Sequence, residues 1–76
     1  MKYVIMSIYD GWYRYTININ GKEYDEDSEI CKKAYKAVDS ENKDINDYLL
    51  EEFKEYDLIV ICDNGNIEIL KDNRGD

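Results

Sequence analysis

The chain has no histidine and no proline, two cysteines, four glycines, and one Trp and one Phe beside eight Tyr. Each scarcity closes a class of chemistry. Without histidine, Ser-His and Cys-His nucleophilic arrangements are out of reach. Zinc ligation would rest on Cys31 and Cys62 alone, far apart in sequence, short of the four ligands a structural site uses. With so few glycines, no glycine-rich phosphate loop forms. No run approaches the roughly 18 apolar residues that span a bilayer. The apolar start, Met1 to Tyr9, includes Tyr3, Ser7 and Tyr9 and has no small-residue cleavage site, so it does not read as a targeting signal. Two cysteines in such a context are expected to be buried thiols, and the location cytoplasmic. Asp25-Glu26-Asp27-Ser28-Glu29 superficially has the look of a calcium loop, but Ile30 stands where its glycine belongs. No metal, no cofactor and no enzymatic activity are expected.

Acidic charge, by contrast, is abundant and unevenly placed. Of 18 Asp and Glu, thirteen lie between Glu23 and Asp57, against five lysines, so that segment alone carries the chain's net charge of −8. The flanks, Met1 to Lys22 and Leu58 to Asp76, balance five acids with five basic residues. A surface of this sign repels nucleic-acid phosphates and anionic membranes and attracts basic proteins. The aromatic content argues against disorder despite the charge. At 76 residues the expectation is one small domain over residues 1–76, burying about 60% of its unfolded surface.

Turn signals divide the chain. Asp10-Gly11 separates strand-like Tyr3 to Tyr9 from Trp12 to Asn20, and Asn64-Gly65 separates Leu58 to Asp63 from Asn66 to Lys71. Both dipeptides favour two-residue hairpins, which would place Ile8 opposite Tyr13, Met6 opposite Tyr15, Cys62 opposite Ile67 and Val60 opposite Ile69. Between the hairpins, Asp27 or Ser28 can cap a helix to about Val38. Asp44 can start a second to about Tyr56, with Ile45, Leu49, Phe53 and Tyr56 as its apolar stripe. The expected fold is α+β, ββααββ, with two helices on one face of a four-stranded, mainly antiparallel sheet. The apolar run Leu58 to Cys62 reads as a central strand, and Lys71 to Asp76 as a frayed tail.

Alternation sorts the strands into faces. Val4, Met6, Ile8, Tyr13, Tyr15, Ile17, Ile19, Val60, Cys62, Ile67 and Ile69 are expected under the helices. The opposite face then holds Tyr3, Ile5, Tyr9, Trp12, Arg14, Ile59, Ile61 and Leu70, a candidate interface for a partner or a second copy. A second candidate surface is acidic. Asp44, Asp47, Glu51 and Glu55 are spaced to line one helix face, at a repeat of about 5–6 Å, close to that of phosphates along a strand. Asp25, Glu26 and Glu29 add a cluster at the start of the first helix. An ordinary solvated helix with acids complementing its dipole would show the same residues, although like charges four apart cost stability.

Small size, acidity, the stripe Asp44/Asp47/Glu51/Glu55, the tyrosine-rich segment IYDGWYRYTININ and a composition rich in Lys, Asp, Asn, Ile and Tyr together resemble the small anti-defence proteins of phages and mobile elements, anti-CRISPR proteins and other DNA mimics among them. The resemblance implies an inhibitor that occludes the nucleic-acid-binding surface of a basic protein or nuclease complex. It carries over no individual functional residue. The alternative is a small homodimeric interaction module in which the charge serves solubility.

Overall fold

The computed structural model describes residues 1–9 and 14–75. They form β1 (Tyr3–Tyr9), β2 (Arg14–Ile19), β3 (Lys22–Tyr24), α1 (Glu29–Asp39), α2 (Ile45–Glu52), β4 (Leu58–Asp63) and β5 (Asn66–Asp72). The Asp10-Gly11 turn, Trp12, Tyr13 and Asp76 lie outside the described residues. The class is α+β with two helices, as expected, but the sheet has five strands in the order β3-β2-β1-β4-β5. The extra strand follows Asn20-Gly21, whose φ values of 53° and 93° match those of Asn64-Gly65 at 50° and 90°. Both pairs have the left-handed conformation of a type I′ turn, so the chain folds back where a single strand to Asn20 was expected.

Pairing is mixed. β1 and β2, β2 and β3, and β4 and β5 run antiparallel, whereas β1 and β4 run parallel, with Val4 beside Ile59 and Met6 beside Ile61. In the first hairpin Ile8 faces Tyr15 and Met6 faces Ile17, two residues on from the expected partners. The last pair among the described residues is Tyr9 and Arg14. A shift of two preserves side-chain parity, so Val4, Met6, Ile8, Tyr15 and Ile17 are buried as expected. In the second hairpin the expected pairs Cys62–Ile67 and Val60–Ile69 are present, with a bulge beyond them between Ile59 and Val60. β4 lies between β1 and β5, in keeping with its continuous apolar run. Lys71 and Asp72, expected in the frayed tail, are the last residues of β5, and Asn73 N–H donates to Asp57 O at 2.8 Å.

The faces of the second hairpin are reversed from expectation. Ile59 and Ile61 are buried in the cluster beneath the helices, and Leu70 packs against it, so none of the three belongs to the exposed face. Val60, Cys62, Ile67 and Ile69, expected inside, lie on that face instead. The cause is the parallel contact: a strand with no alternation of its own takes its parity from β1. The helices complete the core with Cys31, Ala34, Ala37, Tyr48, Leu49 and Phe53. Tyr15 stacks on Tyr35 of α1 with ring centroids 5.9 Å apart, and its hydroxyl donates to the Cys31 carbonyl.

α2 stops at Glu52, a turn short of the expected Tyr56. Tyr56 packs edge-on against Phe53 at 5.3 Å. Asp57 N–H donates to Lys2 O at 2.8 Å while Lys2 N–H donates to Asp57 Oδ2 at 3.0 Å. These contacts pull the chain out of the helix to start β4 beside β1. Among the described residues, no helix is long and apolar enough to cross a membrane.

Adjacent residues report which face of β4 is inside. Ile59→Ala is expected to cost about 2–5 kcal/mol, the range for a truncated core aliphatic, and Val60→Ala about 1 kcal/mol or less. Urea unfolding of dilute protein measures both. The opposite ranking would mean that Val60, not Ile59, lies beneath the helices.

Candidate functional site

Several carboxylates of the acidic segment first serve the fold. Asp44 is the N-cap of α2, accepting from Asn46 N at 2.9 Å and Asp47 N at 3.2 Å. Asp25 Oδ1 accepts from Asp27 N at 3.0 Å, and the Asp25 carbonyl accepts from the Ser28 hydroxyl at 2.7 Å. Ser28 in turn caps α1 by accepting from Cys31 N at 3.3 Å. These contacts satisfy backbone donors that a helix start leaves orphaned. The early acids also complement the helix dipole.

Other carboxylates are uncommitted. Asp47 and Glu51 are exposed on α2, and neither joins an ion pair among the described residues. Glu55 is exposed too, but lies in the turn after α2 and so does not extend its stripe. Glu26 and Glu29 are exposed at the other cluster, before and at the start of α1. Two of the segment's five lysines are engaged: Lys33 of α1 meets Glu52 of α2 at 2.6 Å, and Lys43 approaches Glu41 at 3.7 Å.

Lys33, in the first half of α1, meets Glu52 at the end of α2, while Lys43 N–H, just before α2, donates to Ala37 O in the last turn of α1 at 3.0 Å, so the helices run antiparallel. The acids that the sequence grouped as one surface are thereby split. Asp44 and Asp47 sit at the end of the layer where α1 finishes, and Asp25, Glu26 and Glu29 sit where α1 begins, about 16 Å away by the length of an 11-residue helix. Lys33, Lys43, Lys54, Tyr48, Glu51 and Glu52 line a groove of about 250 Å³ between them.

The open sheet face is the other candidate surface. Tyr3 and Ile5 are half-buried there, and Tyr9 and Arg14 are exposed. Trp12 lies outside the described residues. Sequence reading missed Val60, Ile67 and Ile69 on this face because their parity depends on β1. Cys31 is fully buried in the core, where burial pushes its thiol pKa up, a poor setting for a nucleophile. Among the described residues no group of three or more Cys, Asp or Glu is placed to hold a metal ion. The chain matches no family model, no curated protein and no solved structure.

Two measurements separate structural from surface roles in the acidic layer. Asp44→Ala is expected to cost about 0.5–2 kcal/mol by removing the cap, and Asp44→Asn only a few tenths because the amide oxygen still caps. Chemical unfolding at neutral pH would show the difference. Tyr48 gives an alkaline signature: burial, then the charges of Glu52 and Glu41, raise its pKa to about 12. The unfolded phenol ionises near 10, so the stability from keeping Tyr48 neutral is full below about pH 10 and lost as pH rises through about 12. Tyr48→Phe is expected to reduce the fall of stability over that window by about one proton's contribution. An unchanged alkaline limb would contradict this role.

Proposed function

We propose that the protein is a non-enzymatic, cytoplasmic binding protein whose acidic helical layer occupies the nucleic-acid-binding surface of a basic protein or nuclease complex. One observation carries the reading. The segment from Glu23 to Asp57 holds a net charge of −8 while its flanks sum to zero, and Asp47, Glu51, Glu55, Glu26 and Glu29 remain exposed without ion-pair partners among the described residues.

Keeping like charges on one side of a small domain costs stability through self-repulsion. Solubility alone would be served as well by acids spread over the molecule. Concentrated on one layer, they create a directional field that steers a cationic surface into contact and acts mainly on the association rate. Asp47 at one end, with Glu51, Glu26 and Glu29 toward the other, span about 16 Å of helix, enough to meet several Lys or Arg side chains that otherwise hold phosphates.

The test is retention of a bacterial lysate on the immobilised protein at low salt, with stepped salt elution and displacement by DNA or RNA fragments. The expected ligand is a basic nucleic-acid-binding protein that leaves at moderate salt and is displaced by its own nucleic acid. Asp47→Asn combined with Glu51→Gln is expected to weaken binding on the order of tenfold, from about 0.5–1 kcal/mol per exposed charge. Affinity that ignores both salt and this double substitution would sink the reading.

A further inference from the structure

β5 inverts the ordinary pattern of a half-buried strand. Ile67 and Ile69 point away from the helices and are 72% and 53% exposed. Glu68, between them, points toward α2 and accepts from Asn46 Nδ2 at 3.1 Å. Such a break with local patterning asks for a compensating gain. The cross-strand register builds the isoleucines into rows: Ile5, Val60 and Ile69 lie side by side across β1, β4 and β5, with Ser7, Cys62 and Ile67 in the next row. β5 is also a free edge of the sheet and seven residues long. A long edge with exposed branched apolar side chains is a pairing hazard unless something covers it.

Charge decides the occupant. Among the described residues, the charged side chains that register places on this face are Arg14, Glu23, which accepts a hydrogen bond from Asn18, and Asp72, which holds Arg74 of the following turn at 2.8 Å. Two of each sign balance among the described residues of this face, while the chain as a whole carries −8. Nucleic acid and anionic membranes are repelled by the whole, and a basic partner finds no row of carboxylates here. A second copy, repelled at its helical layer, meets balanced charge among the described residues of its sheet.

The area also suffices. Five strands at about 4.8 Å spacing and about 20 Å long give roughly 500 Å² per copy, hence roughly 1,000 Å² for a pair, near the lower bound for a specific interface.

We propose that this open sheet face packs against the same face of a second copy, forming a two-fold sheet-on-sheet dimer centred on Ile5, Val60, Ile67 and Ile69. The modest area makes it a dimer that dissociates on dilution. Aligned packing of two twisted sheets supplies the geometry, and the two-fold relation lets one self-complementary patch serve both copies.

Sedimentation equilibrium of the full chain from about 1 to about 500 μM, a range spanning micromolar affinities, tests this without reference to any other partner. The mass is expected to rise from 9.1 kDa toward twice that value. Ile69→Glu, at an exposed position where the fold tolerates it, is expected to raise the dissociation constant about a hundredfold, since each copy loses a buried isoleucine. Asp47→Asn with Glu51→Gln is expected to leave it unchanged. Backbone amide shifts followed on dilution provide the map, with movement expected at Ile5, Val60, Ile67 and Ile69 and none along α1 or α2. A monomer throughout, equal dimerisation of Ile69→Glu, or movement confined to the helices would each overturn the proposal.

Discussion

The parallel contact between β1 and β4 is the constraint on which the rest of the structure depends. It places Val4 beside Ile59 and Met6 beside Ile61, and those four side chains form the floor under both helices. Because β4 has its parity fixed there, β5 inherits it through the hairpin, and the bulge past Val60 brings Leu70 back against the core. The reciprocal hydrogen bonds of Lys2 and Asp57 lock the register at the start of both strands. Parallel neighbours need a long crossover, and the acidic segment is that crossover. The charged layer is thus the connection the topology demands, folded over the sheet and anchored by the apolar stripes of α1 and α2.

Local chemistry made part of this legible. Ser28 and Asp44 cap the helices where the sequence placed them, and Asn64-Gly65 gives the two-residue turn its residue types require. Asn20-Gly21 carried the same signal but went unread, because Lys22–Tyr24 is too short to show alternation and leads into an acid-rich stretch. The first hairpin survived a wrong register since a two-residue shift leaves every side chain on its own face. The second could not survive: Leu58–Asp63 has no alternation through its apolar run, and in Ile67-Glu68-Ile69 the polar residue takes the helix side while both isoleucines stay exposed. What fixes it is a neighbour more than fifty residues away, and no local pattern records that.

The acidic surface was legible in composition and less so in arrangement. The stripe of four acids assumed a helix reaching Glu55, and tertiary contacts at Tyr56 and Asp57 end it earlier. Asp44 and Asp25 prove to be hydrogen-bond acceptors for the backbone, so their charge is present for a local reason. Asp47, Glu51, Glu26 and Glu29 accept no such bond, although Asp47 and Glu29 also sit in first helical turns where they complement the dipole, and they are the residues on which the charge-based reading rests.

The two surfaces bear on one another through electrostatics. A chain of net charge −8 associates with itself most readily where its charges balance, and among the described residues of the sheet face Arg14 and Arg74 offset Glu23 and Asp72. Had the charge been spread evenly, each face would repel its copy and the apolar rows would stay exposed to water. Segregation would serve both roles at once: carboxylates gathered in the helical layer would meet a cationic surface, and the sheet face, balanced among the described residues, would meet a second copy. Packing of the sheet faces would then turn the acidic layers outward on opposite sides of a pair, presenting two copies of the same field. A partner with two basic grooves would be held by both, and the second contact would form at the effective concentration set by the rigid pair instead of that of free protein. Self-association and partner binding would thereby reinforce each other, although they use no residue in common.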